Sequence, residues 1–396
     1  MKKLIRDDIW DRVLCRIKDD YMGKKILIFG DICPDNSYRK LFDNGECVLS
    51  EAIQAEIQKA EYVIANLECP ATYSTKKIKK CGPNLRAKPE DIKTLAKAGI
   101  NALSLANNHI LDYGTNAVSI TLELCKKEGI SCFGAGNNQA EANKPLIVKK
   151  NGRKIGFISF AEEEFNIATK NEPGAALFDP FDSLDRIQNL KKEVDKVIVL
   201  YHGGIEHYIY PTPLLQKKCH KMAKAGADVI LCQHSHCIGT IENYENCFIM
   251  YGQGNSIFGY RNGEREWNEG LLVYLDMDTF EVQFKVMNAT AKGVDFINTK
   301  DNKQRVEQIW TNSENLRNQE IIKEKWLEFV AEKKSLYYSL LYGKNRIFNK
   351  INRIMGNRLV DIFYSKKTQM ITMNILRCDA HREVLVTMLE EKVYDE

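Results

Sequence analysis

Short apolar runs recur along residues 25–290, and polar residues follow most of them. The runs are rich in Val, Ile and Leu, and they occur at Lys25, Tyr62, Ala102, Val197, Val229 and Leu271. Runs of this kind are typical of strands that are buried on both faces. Helical patterns lie between several of the runs. The alternation predicts an α/β fold, with a mixed sheet inside and helices outside.

Proline, glycine and asparagine mark where several of these elements begin and end. The segments that start at Pro89 and Pro213 each reach a glycine where a helix C-terminus belongs. The pair Asn151-Gly152 lies between two apolar runs. This pair favours a type I′ turn, so it predicts an antiparallel hairpin.

Two segments, Ala96–His109 and Ala223–His236, align with each other without a gap. Each reads as a helix end, a glycine, a short strand and a polar loop that carries histidine. We interpret them as two helix–strand units whose strands end at the same edge of one sheet. Because ligands of open α/β sheets bind outside the carboxyl ends of the strands, we expect His109, His234 and His236 to face one crevice.

The composition divides the chain into three parts. Residues 1–23 are an expected N-terminal helical extension, and residues 24–295 form the expected α/β domain. In residues 300–396 glycine becomes scarce and strand patterns vanish, which predicts a helical region. Residues 341–370 hold seven basic residues and a single acid, Asp361. Such a stretch is typical of a solvated helix face, and a site for a polyanion or an acidic membrane surface is the alternative.

The bulk composition excludes several classes of protein. With 396 residues, 44% hydrophobic and 28% charged, the chain is globular and long enough for two domains. Its net charge of +4 is small, which argues against nucleic acid as a partner. Twelve cysteines without a signal peptide suit a reducing compartment. We expect a cytoplasmic protein without a transmembrane segment, with a position at the membrane surface as the alternative.

Polar side chains follow five of the predicted strands. In chain order they are Asp31; Asn66 and Glu68; Asn107, Asn108, His109 and Asp112; His202 and Glu206; and His234 and His236. Each residue alone also has a structural explanation, because aspartate after a strand is typical of turns and asparagine also caps helices. The conjunction of five polar strand ends favours a metal site.

The predicted cluster offers carboxylate, amide and imidazole ligands. This mixture suits one or two divalent ions such as Mn, Fe or Zn. A pair of ions requires a bridging carboxylate, separate imidazoles and an open position for a water that becomes a nucleophile near neutral pH. A histidine after the third strand that is not a ligand would be able to protonate a leaving group.

The segment Cys232–Cys237 places two cysteines beside His234 and His236, so a structural zinc knot is the alternative explanation. Thiolate zinc sites need a second ligand pair at a matching spacing, and the sequence has no C-x2-C. We therefore expect both cysteines to pack as small apolar side chains.

A series of short blocks carries a family resemblance. The blocks are Gly30-Asp31, Asn66–Glu68, Leu105–Gly114, Gly134–Asn137, His202–Glu206, Gln233–His236 and Tyr251–Phe258. Together they resemble the CapA family of bacterial capsule and poly-γ-glutamate synthesis proteins, which are related to the calcineurin-like metallophosphatases. The resemblance extends over residues 24–262. It implies a four-layer αββα sandwich with two divalent metal ions, to which the helical C-terminal region would form an appendage.

The resemblance also implies roles for the polar strand ends. Six residues match metal-binding positions of the family: Asp31, Glu68, Asn108, His202, His234 and His236. His109 matches the residue that contacts the scissile group, and Asp112 would hold it in the productive tautomer. The residues expected to bind the substrate are Asn66, Asn107, Glu206 and Asn255.

The sequence departs from the pattern at three positions. Cys33 stands where metallophosphatases carry a histidine, Cys232 stands where a glycine precedes the HxH motif, and Gly203 stands where a tryptophan is usual. Cys33 in particular implies a weaker first metal or a different ligand set. Many family members also have a membrane anchor, and we expect none here.

We predict a metal-dependent hydrolase or transferase of the phosphoesterase type that acts in the synthesis of capsule, poly-γ-glutamate or a related surface polymer. Its expected partners are an acidic polymer or phosphorylated substrate and capsule-assembly proteins. One alternative is a non-catalytic assembly factor that binds an acidic polymer, which Cys33 and the basic C-terminal stretch favour. The other alternative is a small-molecule phosphatase, which the same residues would serve.

Overall fold

The structure of the protein is a computed structural model that describes residues 24–80, 82–341, 346–356, 358–359 and 366–377. The helical extension expected at residues 1–23 lies outside the described residues. Contacts divide the chain into two units, one that ends at Lys323 and one that begins at Glu324. The strands described below belong to the first unit.

Strands and helices alternate along the first unit as the apolar runs predict. The strands are β1 (Lys25–Ile32), β2 (Tyr62–Leu67), β3 (Ala102–Ser104), β4 (Ser131–Phe133), β5 (Ala135–Gly136), β6 (Leu146–Lys150), β7 (Arg153–Ala161), β8 (Gly174–Ala175), β9 (Lys196–His202), β10 (Val229–Gln233), β11 (Ile241–Tyr244), β12 (Cys247–Met250), β13 (Asn255–Ile257), β14 (Glu269–Asp276), β15 (Val282–Thr290) and β16 (Gly293–Phe296). The α-helices are α1 (Arg39–Asp43), α2 (Glu51–Lys59), α3 (Pro89–Lys97), α4 (Thr115–Lys127), α5 (Gln139–Ala142), α6 (Ser183–Glu193), α7 (Pro213–Lys224), α8 (Arg265–Asn268), α9 (Thr299–Glu314), α10 (Gln319–Leu341), α11 (Arg346–Ile354) and α12 (Lys366–Arg377). The helices predicted from Pro89 and Pro213 are therefore confirmed as α3 and α7.

The longer strands form two mixed sheets. The first sheet has the order β16-β15-β14-β1-β2-β3-β4, with β13 also paired to β1. The second has the order β11-β12-β10-β9-β7-β6. β1 to β4 run parallel in the first sheet, and β7, β9, β10 and β12 run parallel in the second. The β6–β7 hairpin turns through Asn151 (φ 53°) and Gly152 (φ 76°), which confirms the predicted turn with positive φ at both positions.

The two sheets stack face to face, and neighbouring residues of β1 show how. Ile26 lies in one buried cluster with Ile198 of β9, so this cluster fills the space between the sheets. Leu27 points to the opposite face because successive side chains of a strand alternate, and it packs with Ile53 of α2 and Ile92 of α3. Helices α6 and α7 contact β9 and β10 of the second sheet. The four-layer αββα sandwich is confirmed.

The two aligned segments Ala96–His109 and Ala223–His236 do not deliver their strands to one sheet, so that expectation is wrong. The first leads into β3 of one sheet and the second into β10 of the other. An apolar run shows only that a strand is buried on both faces. This holds for a sheet covered by helices on both sides and also for a sheet stacked on a second sheet, so the run does not tell how many sheets there are. Both strands nevertheless end at the same end of the sandwich, where the candidate site lies.

Helix α9 packs against the sheets of the first unit. Ser313 Oγ accepts a hydrogen bond from the backbone N–H of Ile241 (2.8 Å), and Arg305 forms a buried ion pair with Glu269 (2.7 Å). The domain boundary expected near residue 300 stays a prediction. The described residues beyond Glu324 are mostly helical. Within the described ranges, no helix combines the length and the apolar character that crossing a bilayer requires.

Candidate metal centre

Adjacent strand ends bring the predicted residues together. Pairing of β1 with β2 places Asp31 beside Asn66, and pairing of β9 with β10 places His202 beside Gln233, one residue before His234. Asp31 and His202 are almost fully buried. Contacts across the two sheets then join these pairs into one cluster, in which His202 Nδ1 lies 3.9 Å from Asp31 Oδ1.

Glu68 lies at the centre of the cluster. Its Oε1 is 3.6 Å from His202 Nε2 and 3.9 Å from the Nε2 atoms of both His109 and His236. The side chain is fully buried, and neither oxygen has a hydrogen-bond partner among the described residues. Burial, and secondly the nearby charge of Asp31, raise the pKa of Glu68 well above its usual range. A buried carboxylate without partners is costly, and a bound cation would remove that cost.

Two groups of possible metal ligands share this carboxylate. One contains Glu68, His202 and His234, and the other contains Asp31, Glu68 and His236. Within each group the ligand atoms lie within 4.8 Å of one another. A carboxylate common to both groups has the position that a bridging ligand would need if a pair of ions were bound. Neither group contains a cysteine, so the donor set is oxygen and nitrogen and suits divalent Mn, Fe or Zn.

Two histidines of the cluster, His202 and His236, are held in the form that binds metal. Burial lowers the pKa of His202 well below its usual value and lowers the pKa of His236 to about 3, and the neighbouring His234 acts in the same direction. Neutral imidazole is the state that coordinates metals. Burial also raises the pKa of Asp31, against hydrogen bonds from the Asn66 side chain and the His234 backbone that lower it.

The HxH segment reaches the site by a turn. Strand β10 ends at Gln233, and both His234 (φ 86°) and His236 (φ 52°) have left-handed backbone conformations. Alternate side chains of an extended HxH segment would share a side, but here the imidazoles reach the cluster through a turn instead. Left-handed conformations cost non-glycine residues about 1–2 kcal/mol each. A hydrogen bond from the backbone N–H of His234 to Asp31 Oδ2 (2.9 Å) helps to hold the turn.

His236 is oriented by a chain of two hydrogen bonds. The Nδ2 group of Asn255 donates to the carbonyl of Trp267 (2.8 Å), so its Oδ1 faces the imidazole. Oδ1 then accepts from Nδ1 of His236 at 2.9 Å. This fixes the proton on Nδ1 and leaves the Nε2 lone pair on the side of Glu68. Hydrogen bonds of this kind set the tautomer of metal-binding histidines.

Asn108 and His202 come from different sheets and meet directly. Asn108 Oδ1 lies 3.1 Å from His202 Nε2, and Asn108 Nδ2 donates to Glu164 Oε2 at 3.1 Å. Two ligands of one ion lie about 3 Å apart when metal–ligand distances are near 2.1 Å. The distance between the Asn108 amide oxygen and His202 is therefore one that two ligands of a common ion would have.

His109 lies beside the cluster, and Asp112 holds it. Its Nδ1 is 2.6 Å from Asp112 Oδ2, and its Nε2 faces Glu68. Asp112 also pairs with the ammonium of Lys80, whose Nζ lies 3.1 Å from His109 Nδ1. The Asp112 carboxylate is fully buried, and its Oδ2 also accepts from the backbone N–H of Leu85 (2.6 Å). This arrangement leaves Nε2 of His109 available to give or take a proton.

The four residues expected to contact substrate are placed in different ways. Asn66 and Asn107 are buried. The Nδ2 group of Asn66 donates to Asp31 Oδ1 (2.7 Å), and that of Asn107 donates to the carbonyl of Leu67 (2.7 Å). Asn255 orients an imidazole, as described above. Glu206 is exposed. Three of the four therefore hold other site residues in position, and their contact with substrate stays a prediction.

Sequence reasoning missed two charged residues at the site. Lys80 comes from the long connection between β2 and α3, and the only signal for it was a run of lysines in that connection. Glu164 follows β7 in a run of three glutamates, and its carboxylate reaches Asn108 and His234. Neither run shows which of its members reaches the site.

Several cysteines of the described residues pack among apolar or sulfur neighbours, and no described cysteine belongs to either group of candidate ligands. Cys33 and Cys69 are buried in the apolar cluster on the outer side of the first sheet. Cys232 Sγ lies 3.7 Å from Cys219 Sγ of α7, and Cys237 is buried. The described residues thus contain no cysteine in either group of possible ligands.

Comparisons with known proteins agree with the motifs. The family model "Bacterial capsule synthesis protein PGA_cap" matches residues 25–260. The chain is 31% identical over 246 residues to the PGA biosynthesis protein CapA of Bacillus subtilis, and 29% identical over 239 residues to the capsule biosynthesis protein CapA of Bacillus anthracis. These alignments cover 61% and 58% of this chain. They span 64% and 58% of the relatives, so this chain matches less than two thirds of each. Among solved structures, a hypothetical protein of Thermus thermophilus superposes with a TM-score of 0.43 and 15% identity, covering 67% of this chain and 100% of that one.

Proposed function

Because the chain belongs to the family of bacterial capsule synthesis proteins, we propose that it acts in the synthesis of capsule or poly-γ-glutamate as a metal-dependent hydrolase or transferase of the metallophosphatase type. The names of the two Bacillus relatives support the assignment to capsule and PGA synthesis. The observation that carries the metal-dependent part is the buried carboxylate of Glu68, which has no hydrogen-bond partner in the described part of the chain and is shared by two ligand groups.

Six residues would hold two divalent ions of Mn, Fe or Zn. They are Asp31, Glu68, Asn108, His202, His234 and His236. Asn108 joins the set through its position next to His202. When bound, the ions supply an acidified water and positive charge that stabilises the anionic centre of the substrate.

His109 is the proposed proton donor. Asp112 accepts a hydrogen bond from the Nδ1–H group of His109 and so directs Nε2 toward the cluster, where the scissile bond would lie. A proton on Nε2 would pass to the leaving oxygen of a phosphoester or to the leaving nitrogen of a γ-glutamyl amide. Lys80 neutralises the second oxygen of Asp112 and keeps that carboxylate in place.

Exposure separates the proposed substrate contact from the residues that hold the ligands. Glu206 lies in the loop after β9, at the edge of the cluster. Of the four residues expected to contact substrate, it is the one exposed to solvent. Asn66, Asn107 and Asn255 are buried and would act indirectly, by holding other site residues in position. The proposed partners are an acidic polymer or phosphorylated compound and other capsule-assembly proteins.

Metal content tests the proposal without reference to a substrate. Protein loaded with Mn²⁺ or Zn²⁺, freed of excess ion and measured by mass spectrometry of the metals, should hold about two ions per chain. Glu68→Gln should hold fewer than one. Glu206→Gln removes an exposed carboxylate and is the matched control, which should retain the wild-type content. Wild-type protein with less than about one ion per chain would exclude the dinuclear centre.

A second reading, a non-catalytic assembly factor, is favoured by the position of Cys33. Its side chain packs in the apolar cluster instead of replacing the missing ligand, so the ligand set is smaller than that of metallophosphatases. Capsule formation in cells separates the two. Cells with His109→Ala or His236→Ala protein should lose capsule if the site is catalytic and keep it if the protein only assembles others. Loss of phosphatase activity with intact capsule would indicate a small-molecule phosphatase.

A further inference from the structure

Helix α11 (Arg346–Ile354) exposes its apolar side chains and buries a polar one. Ile351 is 44% exposed and Ile354 is 77% exposed, whereas Asn352 is only 3% exposed. Ile347, which is also exposed, lies four residues before Ile351, so the three isoleucines follow the i, i+4, i+7 spacing of one helix face. A helix that only packs on its own protein shows the reverse arrangement.

Basic residues lie along one side of this face. Lys350 and Arg353 are exposed and each precedes one of the isoleucines, which places them about 100° away around the helix. Arg358 and Lys366 are exposed in the following residues. The sequence of residues 346–377 contains seven basic residues and one acidic residue. Helix α12 adds exposed Met370 to this strongly basic segment.

We infer that the basic amphipathic helix α11 binds the surface of a membrane that contains anionic phospholipid. Exposed isoleucines would enter the boundary between headgroups and acyl chains, while flanking lysine and arginine side chains contact the phosphates. A soluble polyanion would use the basic residues but leave the isoleucines in water. A second copy of the chain would bring two strongly basic segments together, which like-charge repulsion opposes. The inference does not depend on the metal centre.

The experiment is sedimentation of the full-length protein with vesicles. Vesicles of phosphatidylcholine with 30% phosphatidylglycerol should bind the protein, and pure phosphatidylcholine vesicles should bind it at least about tenfold more weakly. Raising NaCl from about 0.1 M to 0.5 M should weaken the binding, because salt screens the charge attraction.

Paired variants separate the two contributions. The double variant Ile351→Ser with Ile354→Ser should weaken binding at least about tenfold, because each substitution removes apolar surface that the membrane would bury. Lys350→Ser with Arg353→Ser should weaken it about 25-fold. Leu327→Ser with Val330→Ser alters an exposed apolar pair on α10 and is the matched control, which should bind like wild type. All of these positions are exposed, and melting temperatures verify that each variant folds. An Ile354→Trp variant should also show a blue shift of its emission with the anionic vesicles only.

Four results would overturn the inference. The first is equal binding to the two kinds of vesicle. The second is binding to anionic vesicles that survives the isoleucine substitutions. Equal affinity of the wild type and the isoleucine variant for a soluble polyanion such as heparin, matching that for the vesicles, would have the same meaning. The third is a dimer in solution that the isoleucine substitutions dissociate, without any binding to vesicles. The fourth is binding that appears only after deletion of residues 378–396, whose sequence is acidic. That result would mean that this segment, and not a membrane, covers the isoleucine face in the full-length protein.

Discussion

The Nζ atom of Lys80 lies 3.1 Å from Nδ1 of His109. The same ammonium pairs with one oxygen of Asp112, and the other oxygen of Asp112 lies 2.6 Å from that Nδ1. The Lys80 side chain is only 4% exposed, so it does not reach solvent or an incoming substrate. Lys80 is therefore a positioning residue, which fixes the carboxylate that orients His109.

Replacing Lys80 with methionine should reduce catalysis without reducing substrate binding. Without the ammonium, Asp112 can rotate and His109 loses its fixed orientation. We expect kcat of the metal-loaded enzyme on a phosphodiester probe to fall about 10–100-fold with KM nearly unchanged. The ¹⁵N shifts of the His109 ring should move as well. Lys80→Arg keeps the charge and should recover most of the activity.

Lys79→Met is the matched control, because Lys79 is the exposed neighbour of Lys80. It should behave like wild type in kcat, KM and ring shifts. Equal losses in the two variants would assign the effect to the general charge of the loop. A Lys80→Met enzyme with wild-type kcat would show that His109 needs no such support.

Glu68→Gln should have opposite effects on the ion-free and the ion-loaded protein. Gln keeps the shape of the side chain but removes a buried carboxylate without hydrogen-bond partners, so the ion-free variant should be about 1–2 kcal/mol more stable than ion-free wild type. With Mn²⁺ at 100 times the wild-type Kd, wild type should gain about 2.7 kcal/mol and the variant much less. Thermal unfolding with and without a chelator measures both effects. A variant that is less stable without ions would contradict the role assigned to the carboxylate.

Asn255→Ala should weaken metal binding although Asn255 is not a proposed ligand. The substitution removes the acceptor that holds the His236 Nδ1 proton, and the imidazole becomes free to rotate. Loss of such a partner typically reduces metal affinity about 10–100-fold. Isothermal titration with Zn²⁺ or Mn²⁺ gives the affinity. Asn243→Ala, at an exposed position of β11, should leave the affinity unchanged. Equal affinity of the Asn255→Ala and Asn243→Ala proteins would count against an oriented His236.

Asp91→Ala should destabilise the first unit through the start of α3. The buried Asp91 carboxylate accepts two hydrogen bonds from Arg39 (2.7 and 2.6 Å) and one from the backbone N–H of Lys88 (2.7 Å). The substitution loses a helix cap and leaves Arg39 half-buried without this partner. We expect a loss of about 2–3 kcal/mol in the free energy of unfolding by urea.

Asp43 provides the control for this loss, because it pairs with the same Arg39 but is exposed. Asp43→Ala should leave the unfolding free energy nearly unchanged, since solvent screens exposed pairs. Similar losses in Asp43→Ala and Asp91→Ala would show that the cap and the burial contribute little.

The candidate ligands were predictable because each sits at a fixed point of a local pattern. Asp31, Glu68 and His202 lie at or directly after the ends of apolar runs, and such runs identify buried strands without knowledge of their neighbours. The conformation of His234 and His236 was not predictable in this way. Their left-handed turn depends on the hydrogen bond to Asp31, which is distant in the sequence.

Lys80 and Glu164 show a different limit. Both belong to runs of like charge in connections, where composition alone favours solvent exposure. Contacts with other segments bring both to the site: Lys80 is buried beside Asp112, whereas Glu164 stays 49% exposed and reaches Asn108. No periodicity in the connecting segments marks either residue.

The sequence by itself determined the alternation of strands and helices, the hairpin at Asn151-Gly152 and the polar residues that end the strands. These features follow from local rules, namely the period of side chains along a strand and the backbone preferences of glycine, proline and asparagine. Only the tertiary structure decided that β3 and β10 lie in separate sheets and that Glu68 joins two ligand groups. The reason is physical: sheet membership and shared contacts depend on packing between distant segments, which a local pattern does not encode.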